Sequence, residues 1–304
     1  MHASERCFKK FLNAQAAYEA NIMVLGGDIT GKMVVPLIEQ NGGYRCDYMG
    51  RQSKNKEETE KLEKDIRDSG YYPVRLSPSE SAELNADPTK VDALFNKLMI
   101  ERLKEWMGWA GERFKGKDVK FVASGGNDDP VEIESVLKSY PFVIDPEGTS
   151  IKLTEDHELL CCSYSNQTPW KCPRELREEE LYKMLEDIVA KVENIQNCIF
   201  DVHVPPFDTN IDLAREMDLD TLKPKLRDGQ IRMVPVGSLA VRTVISTYQP
   251  MLALHGHIHE SKGSHKLGRT VCFNPGSEYS AGILMGLIVD IEGPKVKDFL
   301  FTSG

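Results

Sequence analysis

The sequence predicts an α/β fold on three observations. Four short apolar runs end directly in Gly, Asp, Asn or His; the segments between them carry apolar residues at helical spacing; and no run of about 18 apolar residues is present. The first run, 22–25, enters Gly26-Gly27-Asp28, and the second, 119–123, enters Gly125-Gly126-Asn127-Asp128-Asp129. The third, 198–200, enters Asp201-Val202-His203, and the fourth closes in Leu254-His255-Gly256-His257-Ile258-His259. Continuous apolar runs of this length suit strands covered on both faces, and open α/β sheets hold ligands just outside the carboxyl ends of such strands. In an extended segment, residues two apart share a side, so His257 and His259 are expected to aim two imidazoles at one spot. Four strand ends therefore converge on one site.

Taken in order, Ser4 caps a helix with Phe8, Phe11, Leu12 and Ala16 at helical spacing, ending near Asn21. From residue 42 to about 86 the pattern loosens into a hairpin at 44–49, a charged helix at 54–68 with only Leu62 and Ile66 apolar, and an extended stretch at 71–76. A helix so polar has little to bury, and its charges read as a solvated face of an insertion covering one edge. Asp87-Pro88-Thr89 starts the longest helix, whose stripe is Val91, Leu94, Phe95, Leu98, Leu103, Trp106 and Ala110, closing near Gly111 or Gly116. Trp106 and Trp109 read as packing rather than as a stacking platform.

Strands are expected at 142–144 and 159–162 around the turn Asp145-Pro146-Glu147-Gly148, followed by a polar loop at 163–170 that could line a substrate pocket. A helix is expected at 174–196 with Leu181, Met184, Leu185, Ile188, Val192 and Ile195 in one stripe. Pro205 and Pro206 turn the chain away just past His203. Gly237-Ser238 starts a helix carrying Leu239, Val241, Val244 and Ile245, which ends before Pro250. A final hairpin, 283–291 with 296–301, is expected to close a second sheet. Cys161, Cys162 and Ser163 end an apolar strand and read as packing rather than as a nucleophile. His255, His157 and His265 read as structural.

The chain has 47 acidic against 38 basic residues, a net charge of −9. No Lys or Arg block interleaves with aromatics, which disfavours a nucleic-acid binder and favours small phosphorylated substrates. Seven cysteines form neither CxxC pairs nor an even disulfide framework, so reduced thiols and a cytoplasmic location are expected. No signal segment opens the chain and no membrane span is expected.

In order, His2, Gly27-Asp28, Gly126-Asn127, His203 and the Gly256-to-His259 motif resemble the calcineurin-like metallophosphoesterase family. Its pattern is DxH, GD, GNH[DE], a lone His and GHxH, and the match runs from residue 2 to residue 259. Two departures stand out. The chain begins at Met1-His2, without the Asp of DxH or the strand before it, and the family's GNH[DE] is here Gly126-Asn127-Asp128-Asp129. The resemblance implies a four-layer α/β-β/α sandwich, its first strand missing, in one domain spanning 1–304 with 42–86 as an insertion subdomain.

It further implies two divalent transition metal ions. One takes His2, Asp28 and His259; the other takes Asp28, Asn127, His203 and His257. Carboxylate, amide and imidazole ligands suit Mn, Fe or Zn. Two such cations would bridge a water, lower its pKa and clamp the phosphoryl oxygens, so that hydroxide attacks phosphorus in line. The expected activity is hydrolysis of a small phosphate ester. Asp128 is the candidate catalytic residue: a carboxylate where the family has a His offers little as a proton donor and repels a dianionic monoester, which favours diesters. The other reading of Asp128 is as the cap of a helix after Pro130. The alternative function, prompted by the two departures, is a catalytically silent member that binds a phosphorylated ligand or a partner protein. Substrate, metal and oligomeric state stay open.

Overall fold

Each of the four apolar runs becomes a parallel strand. The computed structural model describes residues 1–227 and 229–304, and the described residues divide into two compact units. One comprises Met1–Glu19, Ile29–Asp118 and Tyr279–Leu284; the other comprises Ala20–Asp28, Val119–Glu278 and Met285–Gly304.

In the second unit, Ile22–Gly26, Lys120–Ser124 and Val143–Ile144 form a parallel sheet in that order, with Gly26 opposite Ser124. A six-stranded sheet runs Gly263–Leu267, Thr270–Asn274, Leu252–Leu254, Cys198–Val202, Glu158–Cys162 and Ser150–Lys152. Its four inner strands are parallel and its two edges antiparallel. One face buries Phe200, Cys198, Ala253 and Cys272 beneath the helices Glu178–Val189 and Leu239–Tyr248, through Leu181, Leu185, Val241 and Ile245. The other face meets the first sheet through Ile199, Leu159, Leu252 and Val122. Helix Ile133–Lys138 packs beside Val143–Ile144. Two parallel-stranded sheets with covering helices make the expected α/β sandwich. Burial on both faces is why these strands read as unbroken apolar runs.

In the first unit, Arg51–Ser53, Gly43–Cys46, Val34–Gln40 and Tyr72–Leu76 form a four-stranded sheet in that order. Helix Lys56–Asp68 covers it. Charged as it is, this helix buries Leu62 and Ile66 fully against Val35, Leu37 and Cys46, so it contributes core as well as a solvated face. Ser4 caps Glu5–Tyr18 by accepting from the Cys7 N–H, and Asp87 caps the 27-residue helix Pro88–Phe114. Trp106 is core, stacked on Phe8 with ring centroids 4.2 Å apart.

Several expectations need correction. The first helix stops at Tyr18, where Glu19 takes a left-handed φ of 53°, and Ala16 faces solvent. The long helix buries Met99, Leu103, Trp106, Met107, Ala110 and Phe114 from its middle onward, while its first turns are only partly covered, with Leu94, Phe95 and Leu98 half-buried and Val91 exposed. The helix expected at 174–196 is Glu178–Val189, followed by a 3-10 turn at Ile195–Asn197. Arg174 lies before it and is fully buried. Among the described residues, strands Met285–Glu292 and Lys295–Ser303 pair only with each other, so the final hairpin packs against the core through Val289, Ile291 and Val296 without extending a sheet. No helix among the described residues is long and apolar enough to cross a membrane. All seven cysteines are free.

Candidate metal centre

Parallel registers align the carboxyl ends of the four strands, all in the second unit. Gly26 pairs with Ser124 in one sheet, and Asp201 pairs with both Cys161 and Leu254 in the other. Asp28, Asn127, His203 and His257 follow these ends within a few residues. Between the sheets, His203 Nε2 stands 3.3 Å from Asp28 Oδ2, both side chains nearly fully buried. Asp28 Oδ1 accepts the Asp128 backbone N–H at 3.2 Å. His257 Nδ1 lies 2.7 Å from Asn127 Oδ1, and the His203 and His257 rings meet edge-on with centroids 5.5 Å apart. A carboxylate oxygen of Asp28 and a ring nitrogen of His259 lie within 4.8 Å of each other.

The approach of Asp28 to His203 requires glycine at 126. A Cβ there would collide with the Asp28 backbone nitrogen and Oδ1 and stand 2.7 Å from His203 Cε1. Asp28 and His257, two of the candidate residues in this unit, also hold conformations that side-chain-bearing residues avoid, with φ of 47° and 62°. The strand of the GHxH motif is therefore only Leu252–Leu254, and the histidines lie on a turn beyond it. The alternation argument for His257 and His259 fails for this reason, since the left-handed residue at 257 breaks the two-residue repeat.

These atoms suit divalent transition cations. Two ligands at about 2.1 Å from one octahedral cation stand about 3 Å apart, which is the spacing of the pairs at 2.7 and 3.3 Å. The fit is carried by His203 Nε2 and the Asp28 carboxylate, a buried imidazole and a buried carboxylate that face each other at 3.3 Å. Burial disfavours the charged His203 ring and is the largest single effect, but the charge and hydrogen bond of Asp28, the charge of Asp129 and the Gly26 carbonyl together outweigh it, so its pKa is raised overall. The same preference for positive charge beside Asp28 favours a cation.

Of the remaining histidines, His255 is buried with Nδ1 2.8 Å from the Val202 carbonyl oxygen, and burial pushes its pKa down to about 4. His157 lies between Thr154 and the Gly293 carbonyl, and His265 lies against Asn210. All three are structural. Cys161 and Cys162 are fully buried, and burial raises both thiols, which disfavours a thiolate nucleophile. His2 belongs to the first unit, buried ahead of the first helix with φ of 47° and its ring 4.5 Å from that of Tyr279.

Asp128 does not cap a helix. Helix Ile133–Lys138 starts three residues after Pro130, with Glu132 at its cap and no side-chain cap bond. Asp128 Oδ1 instead accepts from Cys172 Sγ at 3.0 Å. Its neighbour Asp129 closes the ligand loop by accepting the Gly126 N–H at 2.8 Å.

Comparisons with known proteins bear on the fold alone. No family model matches the chain. A protein of Methanocaldococcus jannaschii described as uncharacterized protein MJ1162 is 32% identical over 152 residues, 49% of this chain and 61% of that relative's length. One solved crystal structure is 18% identical, covers 90% of this chain and 86% of its own, and superposes with a TM-score of 0.51. It shares the α/β fold. Two looser neighbours, both from Thermus thermophilus, are the protein TT1561 and the sulfate thiohydrolase SoxB in complex with glycerol. TT1561 has 14% identity, 67% and 79% coverage and a TM-score of 0.43; SoxB has 11%, 80% and 41%, and 0.37.

Sequence reasoning missed Arg174. Its side chain is fully buried, with Nε donating to the Asp129 carbonyl at 2.8 Å, one Nη to the Pro130 carbonyl at 3.0 Å and the other to Glu134 Oε1 at 3.0 Å. Its backbone N–H donates to the Asn127 carbonyl at 3.2 Å. Arg174 thus clamps the loop that carries Asn127 and Asp128. Two of its side-chain acceptors are backbone carbonyls, so no residue pattern signals them.

Proposed function

We propose that this protein is a metallophosphoesterase of the calcineurin-like type that hydrolyses small phosphate esters with two divalent transition cations, Mn, Fe or Zn. The observation that carries the reading is the meeting of His203 Nε2 and Asp28 Oδ2, buried and 3.3 Å apart, beside the Asn127 and His257 pair. Asp28 would be shared by both cations, with Asn127, His203 and His257 on one and His259 on the other. His2 is proposed as a further ligand on the resemblance alone. When bound, the cations supply the Lewis acidity that activates water and neutralises phosphoryl charge.

The chain's own residues orient and exclude. The Asp128 N–H fixes one Asp28 oxygen and leaves the other toward His203. Arg174 sets the backbone that presents Asn127. Asp128 places a carboxylate beside the site, which works against a dianionic monoester and toward a monoanionic diester. It also motivates the second reading, a silent member that binds a phosphorylated ligand, because this position then lacks the family's proton-donating His.

The test is metal content together with hydrolysis of an aryl phosphodiester, for wild type, Asp28→Ala and His257→Ala. Both variants are expected to lose metal and activity together. Full activity in Asp28→Ala would overturn the two-metal reading, and two metals bound without hydrolysis of any ester would establish the silent one.

A further inference from the structure

The segment between Ser165 and Leu176 is built as a rigid loop, although it contains no long element. Its neck is closed by parallel pairing of Ser165 with Glu175 and Asn166 with Leu176. Inside the neck, the Thr168 N–H donates to Glu175 Oε2 at 3.0 Å and its hydroxyl bonds the other carboxylate oxygen. The Trp170 N–H donates to Thr168 Oγ1 at 3.2 Å. At the base, Arg174 is held by four hydrogen bonds to residues 127–134, and Cys172 Sγ touches Asp128 Oδ1 at 3.0 Å.

All this ordering presents one large group to water. Trp170 is 60% exposed, whereas Trp106 is buried. Trp170 is two residues from Cys172, so its backbone lies within about 7 Å of a residue that contacts Asp128. Asp128 in turn donates its N–H to Asp28. An indole buries more apolar area than almost any side chain, and leaving it in water on a fixed support gives the fold nothing. With its backbone held by these bonds, the exposed indole offers a ligand a flat apolar face on a supported loop.

We propose that Trp170 is the platform of a substrate subsite, on which the aromatic or heteroaromatic group of a phosphate ester stacks while its phosphoryl group faces the metal centre. The subsite rests on the phosphoesterase reading for its reaction but not for its binding. Stacking on an indole is indifferent to ring substituents, so the class selected is esters of planar alcohols, phenolic or nucleoside-like, over esters of aliphatic ones.

The experiment uses the full chain loaded with Mn²⁺. Wild type, Trp170→Ala and Trp170→Phe are assayed for KM and kcat on diphenyl phosphate and di-n-butyl phosphate, comparing ratios between variants so that intrinsic ester reactivity cancels. Trp170→Ala is expected to raise KM for the phenyl ester about tenfold, with KM for the butyl ester changed less than twofold and kcat held; Trp170→Phe should restore most of the loss. In parallel, phenylphosphonate should quench wild-type tryptophan fluorescence and fail to quench Trp170→Phe, while butylphosphonate quenches neither.

Equal KM changes for both esters, or no change for either, overturn the subsite. If wild type hydrolyses neither ester, the phosphoesterase reading falls and the phosphonate titration alone decides: selective quenching by phenylphosphonate upholds the subsite and its absence overturns it.

Discussion

Replacing Arg174 by Met should loosen the ligand loop in a way the geometry lets one size. The guanidinium donates to two carbonyl oxygens, of Asp129 at 2.8 Å and of Pro130 at 3.0 Å, and methionine supplies a donor to neither. The Pro130 carbonyl keeps the Ile133 N–H at 3.3 Å, so the loss falls on the buried Asp129 carbonyl and is about 1–3 kcal/mol. The ion pair with Glu134 adds little, about 0–1 kcal/mol, because that carboxylate is 27% exposed and water can take the place of Arg174. Supporting groups around metal ligands typically change affinity by about 10–100-fold, and a loss of that size is expected here through Asn127. Arg174→Lys should fall between, since one ammonium keeps the charge but cannot reach three acceptors arranged for a planar fork. The assay is calorimetric titration of chelator-stripped protein with Mn²⁺, alongside the urea midpoint. A Met variant that is less stable yet binds Mn²⁺ within twofold of wild type would refute the clamp, because a purely structural arginine predicts that result.

Gly126→Ala should expel His203 or Asp28 from their contact, lowering Mn²⁺ affinity at least tenfold in the same titration while far-UV circular dichroism stays unchanged; retained affinity would mean the loop yields easily. Asp128→His should raise hydrolysis of an aryl monoester relative to the matched diester with metal saturating, and an unchanged ratio would make Asp128 structural. Glu147 is partly buried, and that desolvation raises its carboxyl pKa despite the N–H and hydroxyl of Ser163 that bond it. An acid whose folded pKa is raised stabilises the fold below its unfolded pKa and loses that stabilisation as pH rises through the folded one, so urea midpoints should drop with rising pH above about 4.5 and flatten in Glu147→Gln. A slope that persists in the Gln variant assigns it to another group.

The strands were legible because burial on both faces writes itself as an apolar run, and the turn that follows carries the candidate polar residues. Ile22–Gly26, Lys120–Ser124, Cys198–Val202 and Leu252–Leu254 all fall on runs read from sequence. Helix starts were legible where a side chain caps them, as Ser4, Asp87 and Ser238 do, and ends where Gly or Pro follows, as at Phe114 before Gly116 and Tyr248 before Pro250; Tyr18 ends its helix with neither nearby and was not legible. The segment 174–178 was misread because Arg174 and the acidic residues after it fit a helix as well as a loop. What decides the matter is the set of carbonyls Arg174 reaches, which the sequence does not mark.

The turn at His257 was illegible for a related reason. A left-handed non-glycine residue costs about 1–3 kcal/mol and persists only where its surroundings over-determine it. Here they do: the His255 N–H donates to the Phe273 carbonyl at 2.9 Å, the Gly256 N–H to the His203 carbonyl at 2.9 Å, and the Ile258 N–H to the Gly256 carbonyl at 2.6 Å. The bond from Gly256 to His203 ties one ligand segment directly to another. Backbone hydrogen bonds from the neighbouring strands therefore hold His257 toward Asn127, and no alternation of side chains is needed. The same principle separates Asp28, strained at φ 47° and fixed by the Asp128 N–H, from ordinary turn aspartates. Strain at these two candidate ligands, Asp28 and His257, with hydrogen bonds that tie their segments to Asp128 and His203, marks geometry set by the fold itself.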